Sequence, residues 1–133
     1  MTNTFEIVFD CADPTRIGVF WSTVLGYQED LVPEGYASWE EFDREKGIEP
    51  NIGWGCFDPA GNKPALFFQR VPEGKTVKNR LHLDLRVGDV RAETERLQSL
   101  GARVLQEVES ESGGWVVMAD PEGNEFCVAP LDE

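Results

Sequence analysis

The sequence predicts an α+β fold built from two tandem copies of one unit, a strand and a helix followed by three strands. The prediction depends on an internal repeat, on two helices with matching aspartate N-caps, and on alternating apolar and polar residues in the flanking segments. The stretches FEIVFDCADPTRIGVFWSTVLG and LHLDLRVGDVRAETERLQSLG match as strand, aspartate and helix ending in Leu-Gly. Two such units are expected to pair in order to cover their apolar faces.

The first unit begins with a predicted strand over FEIVFDC, where apolar and polar residues alternate. A helix should follow, since Asp13 suits an N-cap and Pro14 occupies the first helical position, where its missing N-H costs nothing. Apolar residues then recur at helical spacing until Gly26, which can end the helix in the left-handed conformation. A short second helix is predicted from Ser38, because Ser38 and Glu41 have the spacing of a capping box.

The rest of the chain is predicted to form a hairpin, a polar connector and a second module. A hairpin is expected over IGWGCFDPAGNKPALFFQRV, with its turn at residues 58–62. The polar connector 72–79 then joins a module at 1–71 to a module at 80–133, within one domain. In the second module a strand over LHLDLRV and a helix capped by Asp89 are followed by predicted strands in ARVLQEVES, GGWVVMAD and EFCVAP.

The charge of the chain limits its partners. A net charge of -13, from 25 acidic and 12 basic side chains, disfavours nucleic acid and anionic membranes. No stretch approaches the about 20 apolar residues of a membrane helix, and no export signal opens the chain, so a cytoplasmic protein is expected. Three cysteines without CxxC spacing favour reduced thiols over a disulfide framework or a zinc knuckle.

The repeat gives the single histidine of the chain a counterpart. His82 lies on the polar side of a predicted strand, two residues before Asp84. Counting back seven residues from the N-caps Asp13 and Asp89 places Glu6 opposite His82. Both side chains can then face a cavity while the intervening apolar residues pack under the helices.

The ends of the two modules also correspond. The turn DPAGN matches DPEGN, and FFQRVP matches EFCVAP, so that Pro72 falls opposite Pro130. This match places Gln69 opposite Cys127.

The doubled unit, the CADP and VGDV entries to the helices and the stretch VMADPEGNEFCV resemble the vicinal oxygen chelate superfamily, which includes glyoxalase I, bleomycin-resistance proteins and extradiol dioxygenases. The stretch LFFQRVPEGKTVKNRLHLDL is similar to an uncharacterised bacterial glyoxalase-like branch of it. The resemblance implies two βαβββ modules whose curved sheets enclose a shared cavity, and it implies a homodimer. In metal-using members the first and last strands of each module supply the ligands.

By this resemblance the four ligand positions carry Glu6, Gln69, His82 and Cys127. His82, Glu6 and Gln69 are candidate ligands of one divalent ion, zinc, nickel, manganese or iron, and Glu6 is also the candidate base. Such an ion would polarise a substrate oxygen as a Lewis acid. Cys127 stands where enzymatic members commonly have a carboxylate, and a thiol suits zinc better than an oxygen-loving metal.

Other roles stay open for the same side chains. His82 can be a hydrogen-bonded pocket residue or can form an acid-base pair with Asp84, and Cys127 can be a small apolar residue lining the pocket. Trp54 and Trp115 can supply flat walls for an aromatic ligand, or they can belong to the core.

Three functions are therefore consistent with the sequence. The first is a metal-dependent lyase or isomerase acting on a small oxygen-rich molecule. The second is a metal-free protein that sequesters an aromatic compound, in the manner of bleomycin-resistance proteins. The third is a regulatory or interaction module with a vestigial cavity.

Overall fold

The computed structural model describes residues 2–111 and 113–131. The chain divides into two compact units, Met1–Gly74 and Lys75–Glu133, and each contains one four-stranded sheet. Within the described ranges, no helix has the length and apolar character needed to cross a membrane.

The first unit follows the predicted order, including the short helix that begins after Ser38. Its elements are β1 (Ile7–Cys11), α1 (Pro14–Leu25), β2 (Gln28–Glu29), α2 (Trp39–Lys46), β3 (Gly53–Phe57) and β4 (Leu66–Arg70). The strands lie in the order β1-β4-β3-β2, with β1 parallel to β4 and the other pairs antiparallel.

The second unit has the same topology. Its elements are β5 (Asp84–Val87), α3 (Val90–Ser99), β6 (Arg103–Val108), β7 (Trp115–Ala119) and β8 (Glu125–Pro130). The strand order β5-β8-β7-β6, with β5 parallel to β8, repeats that of the first unit. The predicted α+β fold of two βαβββ modules is therefore confirmed.

Helix α1 begins and ends where the sequence predicts. The carboxylate of Asp13 accepts a hydrogen bond from the backbone N-H of Arg16 at 3.3 Å, and Gly26 closes the helix at φ 70°. The apolar side of the helix buries Ile17 and Trp21, and the Trp21 ring packs on Phe9 of β1 with ring centroids 5.6 Å apart. This packing covers one face of the first sheet and leaves the other face uncovered by α1.

The predicted short helix and hairpin are also present. Ser38 Oγ accepts a hydrogen bond from the Glu41 N-H at 3.1 Å, as the capping box requires. The hairpin turn is held by Asp58, whose carboxylate accepts hydrogen bonds from the N-H groups of Ala60, Asn62 and Lys63 at 3.0 to 3.1 Å. These bonds, led by the one from Ala60, hold the pKa of Asp58 below its usual value.

Helix α3 covers the second sheet in the same way. Asp89 accepts a hydrogen bond from the Ala92 N-H at 3.0 Å, and Leu97 is fully buried. The sheet contributes Met118, Phe126 and Val128 to this core.

Two strand boundaries differ from the prediction. Strand β1 begins at Ile7 and β5 at Asp84, so Glu6 and His82 precede their strands instead of lying within them. Both strands are edge strands with a single partner, and the pairing of β5 with β8 ends at the bond from Cys127 N-H to the Leu83 carbonyl. The described residues that precede Leu83 in this module are not paired with a strand through their backbone.

Candidate functional site

The parallel pairing of β5 with β8 brings a carboxylate and a thiol together. Asp84 and Cys127 are register partners across the two strands, and directly opposed side chains project from the same face of a sheet. His82 is two residues before Asp84 and shares its side of the chain, with its Nε2 atom 3.2 Å from Asp84 Oδ1. One edge of the second sheet thus carries an imidazole, a carboxylate and a thiol.

These three side chains form a compact set of donor atoms. One ligand atom from each of His82, Asp84 and Cys127 lies within 4.8 Å of the others. The imidazole and the carboxylate are 44% and 49% exposed, so solvent and ligands reach them. Cys127 is half-buried beside them.

The thiol is in its neutral form when no ion is bound. Burial raises the pKa of Cys127, and the negative charge of Asp84 and a hydrogen bond to that carboxylate raise it further, against a smaller opposite effect of Lys78. The thiol therefore keeps its proton beside the Asp84 carboxylate.

The donor set fits a borderline divalent ion. Donor atoms around a tetrahedral zinc ion lie about 3.3 to 3.8 Å apart, from bond lengths of about 2.0 to 2.3 Å. The His82 and Asp84 donor atoms, 3.2 Å apart, are near this separation, and the Cys127 sulfur lies within 4.8 Å of both. Nitrogen, oxygen and sulfur together suit zinc better than manganese or magnesium.

The segment that leads to His82 is fixed to the strand that carries Cys127. Lys75 Nζ lies 3.1 Å from Glu125 Oε2, and the Asn79 N-H donates to the same carboxylate at 3.2 Å. Burial acts to raise the pKa of Glu125, but the hydrogen bonds from its own backbone, Lys75 and Asn79 hold it below the usual value. This carboxylate ties the connector to the first residue of β8.

The face of the first sheet that lies away from α1 has a different character. Val8 and Phe67 are register partners on β1 and β4, and both are exposed apolar side chains. Asp10 and Gln69 are the next pair on this face, and the Gln69 amide donates to the Asp10 carboxylate at 2.7 Å. The predicted ligand Gln69 is thus hydrogen-bonded within its own unit.

Two glycines of β3 open space on this face. A Cβ atom at Gly53 would lie 2.6 Å from the Phe67 ring, and one at Gly55 would lie 2.2 Å from Asp30 Oδ2. Without those Cβ atoms, the ring and the carboxylate can lie against the sheet. Burial raises the pKa of Asp30, and the negative charge of Glu6 adds to this effect.

The two predicted tryptophans lie in different surroundings. Trp54 pairs with the buried Phe68 and packs against Gly18 of α1, which puts it on the helix side of the first sheet, opposite the Phe67 face. Trp115 begins β7 in the second unit and is partly exposed, where it lines a groove beside α3.

The strand register corrects one match within the repeat. The bond from Val71 N-H to the Cys11 carbonyl is equivalent to the bond from Leu131 N-H to the Val87 carbonyl. By this equivalence the counterpart of Cys127 is Phe67, two residues before Gln69. The match of Pro72 with Pro130 is wrong because Pro130 is the last residue of β8, whereas Pro72 lies beyond the end of β4.

The sequence predicted that Asp84 could pair with His82, but it did not include Asp84 in the donor set. The signal was its position two residues after His82, which puts both on one side of an extended chain. Its contact with Cys127 depends on a parallel pairing across 43 residues of sequence, which spacing alone does not reveal.

Comparison with known proteins identifies relatives of the whole chain. The model of a family described as the glyoxalase-like domain matches residues 6–129. A search of curated protein sequences finds no significant match.

Several solved structures share the fold over nearly the full length. A glyoxalase/bleomycin resistance protein/dioxygenase family enzyme from Burkholderia phytofirmans is 18% identical, with a TM-score of 0.65 and 96% of this chain and 97% of that one covered. The fosfomycin resistance protein FosX from Listeria monocytogenes, solved with Mn(II) and a dihydroxypropylphosphonic acid, is 12% identical, with a TM-score of 0.70 and coverages of 99% and 94%.

A third similar structure is a binding protein. The bleomycin-binding protein from Streptomyces verticillus, solved with copper(II)-bleomycin, is 16% identical, with a TM-score of 0.57 and coverages of 99% and 98%. At these identities the likeness concerns the fold.

Proposed function

Since the chain belongs to the glyoxalase-like domain family of the vicinal oxygen chelate superfamily, we propose that it is a metal-dependent lyase or isomerase acting on a small oxygen-rich molecule. The observation that carries the proposal is the convergence of the donor atoms of His82, Asp84 and Cys127. A bound divalent ion would supply Lewis-acid polarisation of a substrate oxygen. The likeness to a fold relative solved with Mn(II) supports a metal in this fold, while the thiol favours zinc here.

The protein side chains prepare the site in a definite way. Asp84 holds both the His82 imidazole and the Cys127 thiol close to its carboxylate, so little side-chain entropy is lost when the three act together. Three protein donors also leave one position of a tetrahedral ion open for substrate. Because the thiol is protonated in the free protein, ion binding should release its proton to solvent.

Glu6 is proposed as the base. Gln69 is left out of the proposed ligand set, because the strand register overturns its match with Cys127 and its amide is hydrogen-bonded to Asp10. Glu6 is exposed and is close enough to Asp30 to influence its pKa. A Glu6→Gln variant should retain its fold and its metal binding and lose turnover.

Metal analysis tests the proposal. Zinc is titrated into metal-free protein without a histidine tag, and the same titration is repeated for His82→Ala, Asp84→Asn and Cys127→Ser. One equivalent should bind to the wild type, and each variant should bind zinc about 10- to 100-fold more weakly or not at all. Cys11→Ser is the matched control, because Cys11 is a buried thiol of the first unit that is not part of the donor set.

Two results would contradict the proposed metal site. If the wild type takes up neither zinc nor nickel, manganese or iron from millimolar solutions, the metal-dependent enzyme is excluded. If zinc binds equally well to all three variants, the ion is held elsewhere and this donor set has no part in it.

A metal-free binding protein is the second candidate, and the Phe67 face favours it. Val8 and Phe67 form an exposed apolar pair, and Gly53 lets the ring lie flat against the sheet. Such a surface suits an aromatic ligand. In this case aromatic compounds should raise the melting temperature without any metal, and Phe67→Ala should remove the effect while His82→Ala retains it.

Two properties complete the proposal. The protein should be a homodimer, as its superfamily resemblance implies, which sedimentation velocity would measure directly. A reducing, cytoplasmic location is proposed because none of the three cysteines, all of which lie within the described residues, is joined in a disulfide.

A further inference from the structure

A groove runs along the second unit between α3 and the strands β6 and β7. Its volume is about 550 Å³, within the range of small-molecule sites. Thr94 and Gln98 line it from α3, Val104 from β6 and Val116 from β7. Val116 and Thr94 are buried, so the bottom of the groove is continuous with the core of this unit.

This groove and the donor set lie on opposite faces of the second sheet. Val116 pairs with Val128 across β7 and β8, and both side chains face α3. Cys127 is the neighbour of Val128 in the strand, so its side chain projects from the other face. A ligand in the groove would therefore occupy a site separate from His82, Asp84 and Cys127.

The lining combines an apolar bottom with an acidic rim. Glu107 pairs with Val116 across β6 and β7, which puts its carboxylate on the groove side. Glu95 and Glu109 also line the groove, and Arg91 is the one cation among the lining residues. Three carboxylates against one guanidinium leave the rim negative.

Among the described residues, protein cations offset little of this acidic charge. Arg91 Nε lies 3.6 Å from Glu95 Oε1, but these side chains are 91% and 68% exposed, so solvent weakens the pair. In the ranges 2–111 and 113–131, no cationic side chain forms an ion pair with Glu107 or Glu109. The charge of the rim is thus available to a ligand.

We propose that this groove is a second binding site, which takes a small organic cation with an apolar body. The apolar body would cover the valines at the bottom, and the ammonium group would lie between the carboxylates of Glu95 and Glu107. Anionic ligands are disfavoured because the rim is negative. The proposal is independent of any metal at the donor set.

Binding of three matched probes tests the site. Isothermal titration calorimetry compares 2-phenylethylammonium with the uncharged 2-phenylethanol and the anionic phenylacetate. The ammonium compound should bind at least about tenfold more tightly than the alcohol, since charge-assisted hydrogen bonds are the stronger kind. Phenylacetate should not bind measurably.

Variants of the lining residues test where the ammonium probe binds. Glu107→Gln and Glu95→Gln should each weaken binding of the ammonium probe about tenfold. Glu45→Gln, an exposed carboxylate on α2 of the first unit, and His82→Ala should leave it unchanged. Chemical-shift changes in an NMR titration of the wild type should centre on α3, β6 and β7, which gives a readout that does not depend on any variant.

The results that would overturn the site are distinct. Equal affinity for the ammonium and the alcohol would show that the carboxylates do not act on the ligand. Shifts centred on β5 and β8, or a loss of binding in His82→Ala, would place the probe at the donor set instead. A complete lack of binding up to millimolar concentrations would show that the groove takes no such cation.

Discussion

Asp84 and Cys127 lie opposite each other on the parallel strands β5 and β8, and, in addition to burial, the carboxylate helps to raise the pKa of the thiol. The resemblance to metal-using relatives leads us to expect a carboxylate at the position of Cys127. Here the carboxylate is that of Asp84, on the neighbouring strand β5. The second unit thus has a carboxylate near His82 although β8 supplies sulfur.

The choice of metal should follow the side chain at position 127. Replacing Cys127 by Glu exchanges a soft sulfur donor for a hard oxygen donor, so preference should move from zinc toward manganese. We expect the ratio of zinc to manganese affinity to fall by at least about tenfold. Competitive titration with a metallochromic indicator measures both affinities.

A comparison variant separates the loss of sulfur from the gain of oxygen. Cys127→Ser should bind zinc more weakly without gaining affinity for manganese. If Cys127→Glu and Cys127→Ser have the same affinities for both ions, residue 127 is not a ligand.

The three thiols should differ in reactivity. Cys11 and Cys56 are buried, and burial followed by the charge of Asp30 raises the pKa of Cys56 to about 12. Iodoacetamide should therefore modify the folded protein at Cys127 and spare the other two, as peptide mass spectrometry would show. Bound zinc should protect Cys127, and denaturant should expose all three; modification of Cys56 in the folded state would contradict the packing described above.

The contact between α1 and β3 should not tolerate a methyl group. A Cβ atom at Gly18 would lie 2.2 Å from Trp54 Cε3, so Gly18→Ala should lower the free energy of unfolding by about 2 kcal/mol, despite the better helix propensity of alanine. Urea unfolding measures the change. At Gly88 a Cβ would meet nothing within 4 Å and the backbone is not left-handed, so Gly88→Ala should be neutral or slightly stabilising.

The turn at Asp58 should make stability depend on acid. Hydrogen bonds from Ala60 and its neighbours lower the pKa of this carboxylate in the folded state. The stabilisation of the folded state by the ionised carboxylate is therefore complete above the usual carboxyl pKa. It is lost as the pH falls through the lower pKa of the folded state. Asp58→Asn should have a lower urea midpoint than the wild type above about pH 5, and the difference should shrink below about pH 4; Glu45→Gln serves as the control.

The sequence was sufficient for the elements that local chemistry determines. The N-caps Asp13, Ser38 and Asp89 each accept the expected hydrogen bond, and the turn at Asp58 closes the expected hairpin. Strand ends were less predictable. The alternation of apolar and polar residues continues through His82, but the paired strand begins only at Asp84. The two-residue strand β2 is too short to give any periodic signal.

The sequence predicted the residues of the candidate site but not which of them lie together. Alternation along one strand was enough to put His82 and Asp84 on the same side. The neighbour of Asp84 on β8 depends on the parallel register, which the turn residues and prolines of the repeat do not determine. For this reason Gln69 was matched to Cys127, whereas the backbone makes Phe67 its counterpart.

The equivalence of Phe67 with Cys127 also makes Val8 the counterpart of Asp84. The second unit carries a carboxylate and a thiol at this cross-strand pair, and the first unit carries only hydrocarbon there. Substitutions at Val8 and Phe67 therefore remove no reactive group, whereas substitutions at Asp84 and Cys127 do.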